Sequence, residues 1–303
     1  MFNLIGTIIF TTLCILTPII TIMEGTAPGN PAGQIANLHT TFNVVTSILL
    51  IPFGTFLAKA AELILPDCGE KDAGLHLEYI HGHVNIQEDK LGLSAMSMNN
   101  TKMEIKRMMA MAKENVSKSF EAFRERKAEL VEEVDQREEY IDYLNKEISK
   151  YISKMITHER TVKGSRIFNS YFKITSNLER IGDHAVNIAG YTLMLKEKNI
   201  VLSEHSKKEV VEMQEVCHEL FSYLFSEDAG SLNVHEKVSA LEQKIDDMTE
   251  TFRNEMLSRI QQGICSDEGS ILFSEMLTDF ERIGDHALNI SKELTQIRLL
   301  NVS

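Results

Sequence analysis

The 303-residue chain has no tryptophan, only four cysteines, and only five prolines, none of them after Pro66. Without proline, nothing in the last three quarters of the chain forces a helix to stop, which favours long uninterrupted helices. Cys14, Cys68, Cys217 and Cys265 stand far apart with no CxxC pair. They suggest neither a zinc cluster nor a disulfide framework, and a reducing compartment is the simplest reading. Positive charge is also scarce: 31 Lys and Arg against 44 Asp and Glu leave a net charge of −13. That balance argues against nucleic acid, whose phosphates are bound by clustered Lys and Arg, and suits cations or basic partners. No nucleophile elbow, phosphate-cradling loop or dinucleotide fingerprint occurs, so a nucleotide enzyme has little support. What is present, 43% apolar residues in a chain of this length, is enough for about two ordered domains.

Charge of either sign is nearly missing from residues 1–66, where Glu24, Lys59 and Glu62 are the only ionisable groups besides His39. Residues 1–23 carry none and are long enough to cross a bilayer core, which takes about 20 apolar residues. A signal peptide would need a basic start and a small-residue cleavage site, and neither is there. Residues 24–37, rich in Gly, Pro and Asn, read as a turn, and 38–66 as a second crossing. The first half of that crossing holds Asn37, His39, Thr40, Thr41, Asn43, Thr46 and Ser47. Such groups either line a substrate path, with Thr40 and Asn43 as its candidates, or cap and pack a helix near the interface. FNLIGTII (2–9) echoes FNVVTSIL (42–49), and repeated membrane units are a habit of secondary transporters, although two helices cannot enclose a path. The expectation is a transmembrane helical hairpin over 1–66 and a linker over 67–100.

Beyond the linker the patterning is helical. Breaks near 163–165, 199–203, 227–231 and 263–269 divide it into six helices, roughly 101–125, 126–161, 166–198, 204–226, 232–262 and 269–300. They form two triplets, because ERIGDHAVNI at 179–188 returns as ERIGDHALNI at 281–290 with only Val186 exchanged for Leu288. The chain is therefore read as all-α: the hairpin, then two three-helix bundles, about 101–198 and 204–300, within a domain of 101–303.

Inside the repeated decapeptides Glu179, Asp183 and Asn187 fall at i, i+4 and i+8, as do Glu281, Asp285 and Asn289, so each set forms one polar row beside an apolar seam. The preceding helix of each triplet adds Glu138 and Asp142, or Glu242 and Asp246, beside the seam residues Ile141 and Ile245. Like charges at this spacing repel by a few tenths of a kcal/mol, so something must offset them. Four carboxylates per bundle would suit a divalent or trivalent cation such as iron, manganese, magnesium or calcium. The alternatives are a solvated face, or an ion-pair network using Arg180 and Arg282. His184 and His286 point about 100° away and read as groups behind or beside the row. Gly182 and Gly284, each costing about 1 kcal/mol in mid-helix, imply a close helix approach.

At these residues the chain resembles a known family. Residues 100–300 resemble PhoU, the phosphate-response regulator of two three-helix bundles, through the Glu-x-x-x-Asp-His-x-x-Asn strings at 179–187 and 281–289, with REEYIDYLNKEI (137–148) and LEQKIDDM (241–248) as its other acidic helices. The resemblance implies metal binding at Glu138, Asp142, Glu179, Asp183, Glu242, Asp246, Glu281 and Asp285. Asn187, Asn289, Arg180 and Arg282 are the candidates for groups behind them. The first 66 residues resemble the tail of the bacterial sodium-dependent phosphate cotransporters, through 34–53 and 2–10. In that family a PhoU-like domain often follows the transport domain. The family's Gln-Ser-Ser motifs are missing from this chain, which makes Met1 read as an internal start and transport by this chain alone doubtful.

The leading expectation is thus the C-terminal portion of a sodium/phosphate cotransporter, with sodium as coupling ion and phosphate as cargo. It would lie in the bacterial inner membrane as a multi-pass protein among lipid, its helical domain cytoplasmic. That domain would regulate transport through iron, manganese or magnesium, with a protein partner or a second copy of the chain. The alternative is an anchored PhoU-like regulatory or interaction protein that transports nothing. A metalloenzyme is a third reading, for which the sequence shows no nucleophile, and the chain is read as a non-enzyme.

Overall fold

The computed structural model describes residues 2–51, 74–80 and 93–302, and these form two compact units divided after Gly74. In the first unit α1 (Phe2–Leu16), α2 (Ile19–Thr26) and α3 (Pro31–Leu50) follow one another. The crossing expected over 1–23 is broken at Thr17-Pro18, where proline has no N–H to continue the ladder. The fifteen residues of α1 reach about 22 Å, short of a hydrocarbon core of about 30 Å. The helix α3 opens with Pro31 behind Asn30, whose side chain accepts the Gly33 N–H at 3.1 Å. It is longer, but its polar residues dilute it. No helix among the described residues is long and apolar enough to cross a membrane. The transmembrane hairpin and the multi-pass membrane location are therefore corrected. Residues 52–66 of the second expected crossing lie outside the described residues.

The second unit holds α4 (Leu93–Glu125), α5 (Glu129–His158), α6 (Val162–Glu197), α7 (Glu204–Leu224), α8 (Leu232–Gln261) and α9 (Asp267–Val302). Each lies close to its expected range except α4, which begins at Leu93, so the last eight residues of the expected linker are helical. Side-chain caps fix three starts: Thr161, Ser203 and Ser231 accept the N–H groups of Gly164, Ser206 and Val234. Asn199 and Gly263, with φ of 50° and 70°, turn the chain out of α6 and α8.

The helices α4–α6 form one bundle and α7–α9 the other, joined mainly through α6 against α9. One apolar core runs through both. The 3-4 seams supply it: Ile141, Leu144, Ile148, Ile174, Ile181, Phe273, Phe280 and Ile290 are all fully buried. Phe120 of α4 stacks on Phe280 of α9 with ring centroids 5.1 Å apart, so the core crosses from bundle to bundle. Two buried ion pairs complete the scaffold. Arg259 of α8 grips Glu209 of α7 with both η nitrogens, at 2.6 and 2.8 Å. Glu104 of α4 bonds Arg107 Nε at 2.7 Å and accepts the backbone N–H groups of Glu78 and Tyr79 at 3.0 and 2.8 Å, tying residues 75–80 to the first bundle.

Phe280→Ala should cost about 3–5 kcal/mol, the range for emptying a buried phenylalanine site. Urea unfolding of the whole chain is the measurement, and a loss below about 1 kcal/mol would mean the bundles do not share a core there.

Candidate functional site

The acidic rows lie where each bundle's middle helix crosses its third. A β-carbon on Gly182 would meet Ile141 at 3.5 Å and Glu138 Cγ at 3.7 Å, and one on Gly284 would meet Ile245 at 3.3 Å and Glu242 Cγ at 3.6 Å. In both bundles, then, a helical glycine lets an isoleucine and the glutamate three residues before it lie directly on the facing backbone. The closeness read from the glycines is present.

It brings carboxylates into one another's field. Partial burial comes first in holding Glu138 protonated up to about 7, then repulsion from Asp183, Asp142 and Glu179. Glu179 is raised by burial, then by Asp183, against the opposing pull of Arg180. Asp183 is raised by burial while His184, Arg180 and a hydrogen bond with Glu138 pull it back. In the second bundle burial and Asp246 raise Glu242, and burial and Glu281 raise Asp246. One oxygen of Asp246, Oδ1, is buried without a hydrogen-bond partner.

Cations hold part of each row at its rim. Lys146 pairs with Asp142 at 2.8 Å, Arg282 with Asp285 at 3.2 Å, and Arg253 lies 3.6 Å from Glu281. The ion-pair alternative is thus realised in part, and Arg282 takes part in it. Among the described residues no three His, Cys, Asp or Glu side chains are gathered as a metal would need them. The donor set nevertheless fits a hard cation: oxygens only, mutually repelling, one of them orphaned. Ligation would take side-chain rotation at helices already in contact.

The rest of each decapeptide serves the other bundle. His184 Nδ1 lies 2.8 Å from Asp279 Oδ1, Asn187 Nδ2 donates to the same oxygen at 3.1 Å, and the Tyr191 hydroxyl donates to Asp279 Oδ2 at 2.6 Å. His286 Nδ1 makes the matching bond to Asn177 Oδ1 at 2.9 Å, and the two imidazoles stack at 5.7 Å. Burial, then His184, holds His286 neutral down to about 4. Asn187 thus faces Asp279, because a row at i, i+4, i+8 drifts about 40° per step and carries its third member round to α9. Asn289 is exposed and Arg180 acts on the row only through its charge. Sequence reasoning missed Asp279, Asn177 and Tyr191. The available signal was position: Asn177 and Asp279 each stand two residues ahead of a decapeptide.

In the first unit Thr40 turns its hydroxyl back to the Ala36 carbonyl at 2.9 Å, and Asn43 bonds His39 at 3.1 Å. Both transport candidates are thus satisfied within their own helix.

Comparison with known proteins places these features in context. The PhoU domain family matches residues 105–192 and 210–294, one segment per bundle and together more than half the chain. The phosphate-specific transport system accessory protein PhoU homolog 1 of Thermotoga maritima is 27% identical over 201 residues, 65% of this chain and 84% of that protein. A PhoU homolog of Xylella fastidiosa is 25% identical over 222 residues, 73% of this chain and 88% of its own length. The crystal structure of PhoU from Pseudomonas aeruginosa superposes with a TM-score of 0.63 at 18% identity, over 68% of this chain and 98% of that one. The phosphate transport system regulatory protein PhoU from Streptococcus pneumoniae gives 0.61 at 18%, over 68% and 96%. These matches support the PhoU part of the sequence resemblance and give no support to the cotransporter part.

Two outcomes follow from the geometry. Unfolded, Glu138 titrates near 4.5; folded, near 7. The folded state therefore favours the protonated carboxyl, and that stability is lost as pH rises from about 4.5 through 7. In chelator, Glu138→Gln should gain on the parent protein between pH 4.5 and 8 in urea midpoint; a constant difference would show Glu138 to be unperturbed. At the seam, Asp279→Ala strands the Tyr191 hydroxyl and should cost about 2–4 kcal/mol. Asp279→Asn, which copies residue 177, should cost clearly less in the same assay.

Proposed function

Because the chain belongs to the PhoU family, we propose that it is a regulatory accessory protein of phosphate transport, which controls a transport system without moving ions itself. The names of its relatives favour this over a transporter portion. One observation carries the mechanism: the carboxylate row is built twice, each time over a glycine contact that presses like charges together.

The residues proposed to hold a metal are Glu138, Asp142, Glu179 and Asp183 in the first bundle, and Glu242, Asp246, Glu281 and Asp285 in the second. Iron, manganese or magnesium suits such oxygen donors, and a bound cation would supply the positive charge that cancels their repulsion. The chain's own part follows from its geometry. Gly182 and Gly284 fix the helix spacing, so the side chains alone adjust. Glu138 must release its proton near neutral pH for the row to become a full set of acceptors, which makes occupancy pH-dependent. Asp246 presents a buried oxygen already free of protein partners. Closing a row stiffens α5 against α6, or α8 against α9, and α6 and α9 carry the seam to the other bundle. Binding and packing, rather than catalysis, is the proposed mode of action, with a phosphate transporter or its signalling component as the partner.

The test is elemental analysis of purified protein combined with a phosphate-responsive reporter in cells. Replacing Glu138, Asp142, Glu179 and Asp183 by Gln or Asn should remove about half of the bound metal, and replacing all eight carboxylates should remove it and abolish the phosphate response. A normal response from the eightfold variant would sink the metal mechanism. Phosphate uptake by vesicles containing this chain alone would sink the regulator reading.

A further inference from the structure

At the end of the second unit where the two bundles meet, away from the carboxylate rows, lies a cavity of about 590 Å³. It belongs to both bundles: α4 and α6 form one side, and α9 and the loop between α7 and α8 the other. A β-carbon on Gly230 of that loop would collide with the Leu294 carbonyl oxygen at 2.8 Å, so the loop is set hard against α9 and the wall is firm. Ile105, Ile174 and Ile297 make an apolar floor, all 9% exposed or less. The volume lies within the range of small-molecule sites, about 300–1,000 Å³.

Three polar side chains, Tyr171, Lys102 and Lys106, face an otherwise apolar stretch of the lining. Tyr171 is 5% exposed and lines the cavity, yet among the described residues its hydroxyl has no hydrogen-bond partner. Burial pushes that phenol up to about 12, so it stays a donor at every working pH. Lys102 and Lys106 stand at i, i+4 on the α4 wall, and among the described residues neither has a carboxylate at ion-pair distance. Both are exposed, and like charges at this spacing repel, so an anion seated between them would relieve that repulsion. The other charges of the lining stand on the opposite side: Arg298, answered by Asp228 at 3.0 Å, and the exposed Glu227 of the loop between α7 and α8.

We infer that this cavity binds an amphipathic organic anion, its apolar body on the floor of Ile105, Ile174 and Ile297 and its carboxylate or phosphate-ester head between Lys102 and Lys106, within reach of a phenol donor. The head chemistry is shared by fatty acids and by phosphate monoesters with an apolar body. A ligand seated there touches both bundles and so bears on their packing, through residues distinct from the proposed metal ligands.

Isothermal titration of the full chain, below micelle-forming concentrations, tests this with four probes: dodecanoate, dodecyl phosphate, dodecanol and inorganic phosphate. Dodecanoate or dodecyl phosphate should bind one per chain. Dodecanol, which lacks the charge, and inorganic phosphate, which lacks the tail, should bind at least tenfold more weakly. The double variant Lys102→Gln, Lys106→Gln alters exposed residues and should keep its thermal midpoint while losing at least tenfold in affinity for the charged probes. Tyr171→Phe should lose a smaller factor. Dodecanol binding as tightly as dodecanoate, inorganic phosphate binding as tightly as dodecyl phosphate, or a double variant with unchanged affinity would each overturn the inference. None of these outcomes touches the carboxylate rows, so this inference and the proposed metal mechanism can fail separately.

Discussion

Two helices that touch through a glycine cannot relieve repulsion by moving apart, and this steric constraint is what the site depends on. At Gly182 and Gly284 the facing isoleucine lies within 3.5 Å of where a β-carbon would stand, and the neighbouring glutamate within 3.7 Å. With the backbones fixed, Glu138 and Glu242 are held over the partner helix and among other acids, partly out of water. The response open to such a carboxyl is to keep its proton, to find a cation, or to swing to the rim. All three routes have a place here: Glu138 protonated up to about 7, a multivalent ion as the proposed partner, and Lys146 or Arg282 at the rim. Helix packing and ion chemistry are therefore one problem, set by two residues that lack a side chain.

The two rows are not equivalent, although the sequence writes them almost alike. In the first bundle four acids act on one another and, among the described residues, only Lys146 pairs directly with one of them. In the second, Arg282 and Arg253 draw on Asp285 and Glu281, and the unsatisfied oxygen belongs to Asp246. Arg180, the counterpart of Arg282, lowers Glu179 and Asp183 by its charge. The first row is thus the more strongly self-repelling of the two and has more to gain from a bound cation.

Periodicity made most of the helical unit legible. Apolar 3-4 seams in a stretch without proline leave few ways to fold, and Ile141, Ile174, Phe273 and Ile283 are buried where such spacing puts them. The acidic rows were legible too, because i, i+4 fixes a face whatever the tertiary structure. Two things were not. Counting uncharged residues cannot see that Pro18 lacks an N–H, so a single long helix was read where α1 and α2 are separate. Nor can spacing along one helix reveal a partner on another: Asp279 serves His184, Asn187 and Tyr191 from the opposite bundle, and only its place before the repeat hints at it.

The seam explains why the decapeptide is copied so closely. A row of acids alone would tolerate drift in the residues between them, since any apolar side chain of the right size would serve. Each copy, however, meets two demands at once: Glu and Asp face the sister helix of their own bundle, while His faces the other bundle, where His184 and His286 stack and each reaches an Asx residue ahead of the opposite repeat. Stacking of equivalent rings requires the two copies to present them in the same register. Glycine fixes the depth of that register, the carboxylates are one residue from the stacked rings, and a change at either face must be felt at the other. A regulator needs such a connection. In this fold it consists of a few bonded side chains on two long helices.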